Sequence, residues 1–274
     1  MDKLNFLTAG IPASAKKSSY EDGLRVLTDM GLDGLELEFV RGVRISDVSR
    51  DVVSKNNKNY IFTAHAPFFI NLNAKEPEKI EASIRRIIET ATTTNELGGY
   101  SIVFHAAYYL GDEKEKTYNT VKEHLNTICE QMDKDNNKIW IRPETTGKGT
   151  QWGDLDEIVR MSNEFEQVLP CIDFAHLHAR SNGEFNTYDE FCRAFEKIGN
   201  EIGSYALENF HAHIAGIAYG PKGEKHHLNF EDADMNYKDL LKAFKTFDVK
   251  GVVVCESPNI EVDTKILKDF YCNL

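Results

Sequence analysis

Six short apolar runs in this chain end in a histidine, a glutamate or an aspartate, and no other feature restricts its fold as tightly. Tyr60 to Ala64 runs into His65, Ser101 to Phe104 into His105, and Ile139 to Pro143 into Glu144. Further on, Val168 to Ile172 runs into Asp173, Phe210 to Ala212 into His213, and Val252 to Cys255 into Glu256. Runs of about five apolar residues fit strands of a parallel sheet covered on both faces, where the polar residue falls as the strand leaves the sheet. One such ending is ordinary. Six in sequence place a set of metal-ligating residue types at one end of consecutive strands.

The intervening segments have helical spacing. A first strand over Lys3 to Ala9 precedes a helix from Tyr20 to Met30, opened by Ser18-Ser19 and ended by Gly31, and a second strand over Leu35 to Phe39 follows. Helices are expected near Ser46 to Lys55, Pro77 to Leu97, Thr117 to Met132, Leu155 to Asn163, Tyr188 to Ile202 and Asn236 to Phe247, with a last one from about Asp263. Ala218 to Asp234 reads as a long loop, and the glycine-rich Thr145 to Gly153 as a mobile cleft loop that lacks the spacing of a phosphate-binding P-loop. Eight strands alternating with eight helices give an α/β fold, a single (β/α)8 TIM barrel over residues 1–274, with its site at the C-terminal ends of the strands.

Composition narrows the setting. The five cysteines are an odd number with no C-x-x-C pair, which fits reduced, buried thiols rather than a disulfide frame or a sulfur-ligated metal. No apolar run approaches the about 18 residues that span a bilayer, and the N-terminus lacks a signal pattern, so a cytoplasmic monomer with no membrane partner is expected. The net charge of −12 argues against a long basic clamp on nucleic acid. Three bound divalent ions would halve that charge and place their own in one cleft.

The candidate ligands are His65, His105, Glu144, Asp173, His176, His213, Glu224, one of His226 and His227, and Glu256. That is too many for one tetrahedral ion and suits about three. Imidazole and carboxylate without thiolate point to zinc, with manganese as a substitute. The loop after His65 carries Phe68 and Phe69, apolar side chains that either cover the helix layer or wedge into a ligand or a base stack, and the loop after the second strand carries Arg41 and Arg44, either solvated loop charges or contacts to phosphate.

The segments His65 to Leu72, Pro143-Glu144-Thr145, Cys171-Ile172-Asp173 with His176, Glu224-Lys225-His226-His227 and Cys255-Glu256-Ser257, together with His105 and His213, run in order along the chain. In them the chain resembles the endonuclease IV family of apurinic/apyrimidinic endonucleases, within the xylose-isomerase-like barrels. The resemblance implies a trinuclear zinc cluster. His65 and His105 would hold one ion, Asp173, His213 and Glu256 a second, and His176 with the Glu224 loop a third, with Glu144 bridging. It also implies a base-excision-repair nuclease that cuts duplex DNA 5′ to abasic sites through a metal-activated hydroxide and leaves a 3′-hydroxyl. Glu256 and Glu144 would be the catalytic carboxylates, and Phe68, Phe69, Arg41 and Arg44 the DNA contacts. The sequence departs from the family pattern where Glu224-Lys225-His226 stands in place of Asp-x-His. The alternative on the same barrel is a metal-dependent sugar or sugar-phosphate isomerase or epimerase, for which this many histidines is an excess.

Overall fold

The computed structural model describes residues 1–274. Eight parallel strands line the barrel: β1 (Leu4–Ala9), β2 (Gly34–Glu38), β3 (Ile61–His65), β4 (Ser101–Phe104), β5 (Trp140–Pro143), β6 (Ile172–Asp173), β7 (Phe210–Ile214) and β8 (Gly251–Cys255). They pair in the order β5-β4-β3-β2-β1-β8-β7-β6. Parallel bridges from Ile141 to Val168 and from Glu144 to Cys171 close the ring between β5 and β6. This is the expected (β/α)8 barrel.

The helices sit close to their sequence-expected spans because their caps are local. The helix Tyr20–Met30 is capped by Ser19, whose hydroxyl accepts from Asp22 N, and ends at Gly31 in the left-handed region. The helix Leu155–Ser162 opens on a capping box of Asp154 and Glu157. The apolar faces of these helices and of the strands merge into one cluster of 56 buried residues.

Four local expectations change. The ladder of β6 is reduced to Ile172–Asp173, because Pro170 has no N–H to give and its carbonyl is taken by the buried Arg142 guanidinium at 3.0 Å. Directly after β6 the chain turns into a short helix, Phe174–Arg180, with Asp173 as its N-cap accepting from His176 N at 2.7 Å. The supposed loop after β7 is an antiparallel hairpin of Gly216–Gly220 with Gly223–Leu228. Gly223, at φ 92°, lies so close to Gly147 that a Cβ would stand 2.1 Å from its carbonyl oxygen.

The glycine-rich loop, expected to be mobile, is tied down. Gln151–Trp152 pairs with Ala107–Tyr108. Trp152 is fully buried, and Arg180 Nη1 donates to the carbonyls of Thr146, Lys148 and Gln151 at 3.3, 2.6 and 3.1 Å. The anchoring residue is about 30 positions away in sequence, beyond any local pattern.

Close approach of β2 to β3 yields a stability prediction. A Cβ on Gly34 would stand 1.9 Å from the Ile61 carbonyl oxygen, so Gly34→Ala is expected to cost about 1–3 kcal/mol in urea unfolding. An unchanged midpoint would contradict this strand packing.

Candidate metal centre

Strand register decides which side chains meet. Glu38 stands opposite His65 across β2 and β3, and Asp173 stands opposite His213 across β6 and β7. At the C-terminal mouth of the barrel the structure brings His65, His105 and Glu144 together as one group, Glu144, Asp173, His213 and Glu256 as a second, and Asp173, His176 and His227 as a third. Within each group the ligand atoms lie within 4.8 Å of one another. The cleft above them encloses about 290 Å³ and is also lined by Glu38, Phe68 and Glu224.

Glu144, from the end of β5, divides its two oxygens. Oε2 lies 3.1 Å from His65 Nε2 and 2.9 Å from His105 Nε2, whereas Oε1 lies 3.3 Å from His213 Nδ1. His213 Nδ1 is in turn 3.4 Å from Glu256 Oε1. The carboxylate thus faces two groups of imidazoles at once.

Backbone carbonyls fix the rings. His65 Nδ1 lies 2.8 Å from Ala66 O and His176 Nδ1 lies 2.9 Å from Thr145 O. A carbonyl only accepts, so each Nδ1 carries a proton, and Nε2 is the nitrogen turned to the cleft, able to ligate once its own proton is displaced. His176 Nε2 lies 3.0 Å from Glu224 Oε2.

A β-bulge decides which of His226 and His227 faces the cleft. In the hairpin Tyr219 pairs with Glu224 and Ala218 with His226, which leaves Lys225 as the extra residue. The insertion shifts the alternation by one, so His227 shares the inward face with Glu224 and His226 is exposed. His227 packs 5.8 Å from His176, ring to ring, and Glu224 also meets Lys148 at 3.1 Å.

The donor set fits divalent ions. Glu144 Oε1, Asp173 Oδ2, His213 Nδ1 and Glu224 Oε2 are buried without an aligned hydrogen-bond donor or acceptor, a state that costs about 1–3 kcal/mol per group. Imidazole nitrogens and carboxylate oxygens, without a thiolate facing the cleft, suit zinc and accept manganese.

Without an ion, protons take the place of cations. Burial opposes charge on His65, but its hydrogen bond to Glu144 and the nearby carboxylates raise its pKa to about 10. His213 is likewise raised against its burial, by Cys171 and then by Glu256 and Glu36. Burial lifts the Asp173 carboxyl to about 6, with His176 pulling the other way.

Two inward acidic residues were not singled out from the sequence. Glu36 is fully buried beneath the centre against His211 and His213, and Glu38 lines the cleft. Their signal was the pattern Leu35-Glu36-Leu37-Glu38 within a strand that a barrel should cover on both faces. Phe68 and Phe69 are 53% and 54% exposed at the mouth, on a loop held by Asn71 Oδ1, which accepts from Asn73 N and Tyr108 N. Arg41 and Arg44 are exposed on the neighbouring loop, outside the cleft wall.

Comparison with known proteins agrees with this architecture. A family model described as xylose isomerase-like TIM barrel matches residues 24–270. An uncharacterized protein of Methanocaldococcus jannaschii is 44% identical over 271 residues, 99% of this chain and 98% of that protein. A probable endonuclease 4 of Mycoplasma pneumoniae is 26% identical over 201 residues, 71% of this chain and 67% of its own length. Among solved structures, a D-tagatose 3-epimerase-like protein superposes with a TM-score of 0.75 at 17% identity, covering 97% of both chains. Endonuclease IV from Thermus thermophilus does so with 0.73 at 15%, covering 99% of this chain and 100% of that one. At these identities the superpositions establish the fold alone.

Two predictions follow from the geometry. His227→Ala is expected to lower the zinc bound per chain by elemental analysis and His226→Ala to leave it unchanged; the reverse order would contradict the bulge. Because His65 holds a proton up to about pH 10 without an ion, zinc binding should release protons at neutral pH and tighten as pH rises towards that value. Titration in a weak buffer with no net proton release would contradict it.

Proposed function

From the premise that this chain belongs to the xylose isomerase-like TIM-barrel family, we propose that it is a zinc-dependent endonuclease of base excision repair that hydrolyses the phosphodiester 5′ to abasic sites in duplex DNA, leaving a 3′-hydroxyl. The observation that carries this reading is the divided Glu144 carboxylate, with imidazoles on both sides and a third ligand group beside it. Such a site suits several adjacent dications, and phosphodiester hydrolysis is a chemistry that uses them. The relatives named probable endonuclease 4 support the same assignment.

Bound ions would supply Lewis acidity towards the phosphate oxygens and lower the pKa of water. The chain's own residues do the rest. Glu144 fixes the spacing of the first two ligand groups, and Asp173, common to both, links the second to the third. Glu256, buried except for an edge open to the cleft, orients the attacking water and takes its proton; its neighbour His213 holds its pKa low against burial, so it stays ionised. Phe68 and Phe69, tilted at 39° with ring centroids 4.0 Å apart, enter the duplex at the gap left by the missing base, where extrusion of the sugar costs least. Arg41 and Arg44 meet the flanking phosphates.

A second reading has its own observation. Glu144, Asp173, His213 and Glu256 alone make a complete four-ligand site for one ion, enough for a sugar isomerase or epimerase. It leaves His65, His105, His176 and His227 without a role.

The decisive assay is incision of a duplex carrying one tetrahydrofuran residue. Zinc-dependent cleavage 5′ to the analogue is expected, reduced on the order of 10²-fold or more in Glu256→Gln; an intact duplex with a fully loaded centre would contradict it and favour the epimerase. Phe69→Ala should weaken binding to the same duplex by about 1–3 kcal/mol with unchanged zinc content. Equal affinity would remove the wedge.

A further inference from the structure

Glu36 is the one carboxylate of the cluster set below the cleft floor. It sits in the middle of β2, in register with Ala9 of β1 and Thr63 of β3, with no exposed surface. A carboxylate inside a barrel carries a desolvation cost of several kcal/mol unless its oxygens are matched. Here Thr63 Oγ1 donates to Oε2 at 2.7 Å, His211 Nε2 stands 3.4 Å from the same oxygen, and Oε1 lies 3.0 Å from His213 Nε2. His211 is braced from behind by Ser101 Oγ, 2.9 Å from its Nδ1.

His213 differs from its neighbours in this respect. His65 and His176 direct Nδ1 to a backbone carbonyl and present Nε2, whereas His213 presents Nδ1, which faces Glu144 and Glu256. Its outer nitrogen therefore has to be Nε2, and the acceptor there is a side chain on another strand. We infer that Glu36 is a positioning residue that holds the His213 proton on Nε2 and so keeps Nδ1 bare towards the ion site shared with Glu144, Asp173 and Glu256. Thr63 Oγ1 aims the carboxylate through its hydrogen bond to Oε2, and Glu36 Oε1 and His213 Nε2, both buried without another partner, are left to each other 3.0 Å apart. This inference rests on the reading of the cluster as an ion centre and is independent of the substrate.

Two measurements test it. Long-range proton–nitrogen spectra of the zinc-loaded protein, labelled at histidine, read which nitrogen of His213 carries hydrogen. Chelator competition reads zinc affinity. The parent is expected to show Nε2–H, and Glu36→Gln is expected to bind zinc about 10–100-fold more weakly with His213 distributed between tautomers. Thr63→Val leaves the carboxylate in place but unaimed and should weaken zinc in the same direction by less, which keeps the test open if the first variant does not fold. A parent with the His213 proton on Nδ1, or a folded Glu36→Gln with parental affinity, overturns the role of Glu36. A parent that binds no zinc overturns the ion centre and this role with it, an outcome distinct from a folded Glu36→Gln that binds zinc with parental affinity.

Discussion

Glu144, Asp173 and Glu256 crowd into the mouth of one barrel with Glu36 directly beneath them, three of the four almost wholly buried, and like charges so close in a poorly solvated site cannot all stay ionised without cations among them. The rest of the structure answers that constraint. Histidines from β3, β7, the loop after β4 and the helix after β6 interleave with the carboxylates, and without ions they hold protons well above the usual imidazole range at His65, His176 and His213. Divalent ions meet the same demand with more charge in less space. Buried oxygens and nitrogens without aligned partners at Glu144, Asp173, His213 and Glu224 mark where that charge belongs.

The scaffold serves this centre through ordinary backbone devices. Asp173 both ends β6 and caps the helix that carries His176, so one residue sets the direction of the next ligand. The hairpin bulge at Lys225 turns His227 inward beside Glu224. Arg180, from the far end of that short helix, gathers the carbonyls of the loop beyond Glu144 and so stiffens the strand end that carries the shared carboxylate. Each device places a ligand on an element already fixed by the barrel, which is how a site of many ligands keeps its spacing.

Much of this was legible in the sequence, for a physical reason. Buried parallel strands must be apolar along their length, so a His or Glu at the end of each was visible by contrast, and the six strand-end residues converge as that pattern implied. The spacing of Asp173 and His176 was visible too, but not that it is the spacing of an N-cap to the third helical residue. Choosing between His226 and His227 by strand alternation would have selected His226, because a bulge follows from pairing with a distant strand. Glu36 was hidden by its position inside a strand instead of at its end. The loop over Thr145 to Gly153 reads as mobile because its anchor, Arg180, is remote in sequence. Local rules located the ligands; long-range pairing set their orientation.

A multi-ion centre differs from a one-ion barrel in the number and placement of its ions. An anomalous difference map at the zinc edge, from crystals of the zinc-loaded protein, reads both directly. Separate peaks are expected between His65, His105 and Glu144, between Glu144, Asp173, His213 and Glu256, and beside His176 and His227. A single peak at the four-residue group, with the surrounding histidines bare at full zinc loading, would contradict the multi-ion centre and leave a one-ion barrel suited to sugar chemistry.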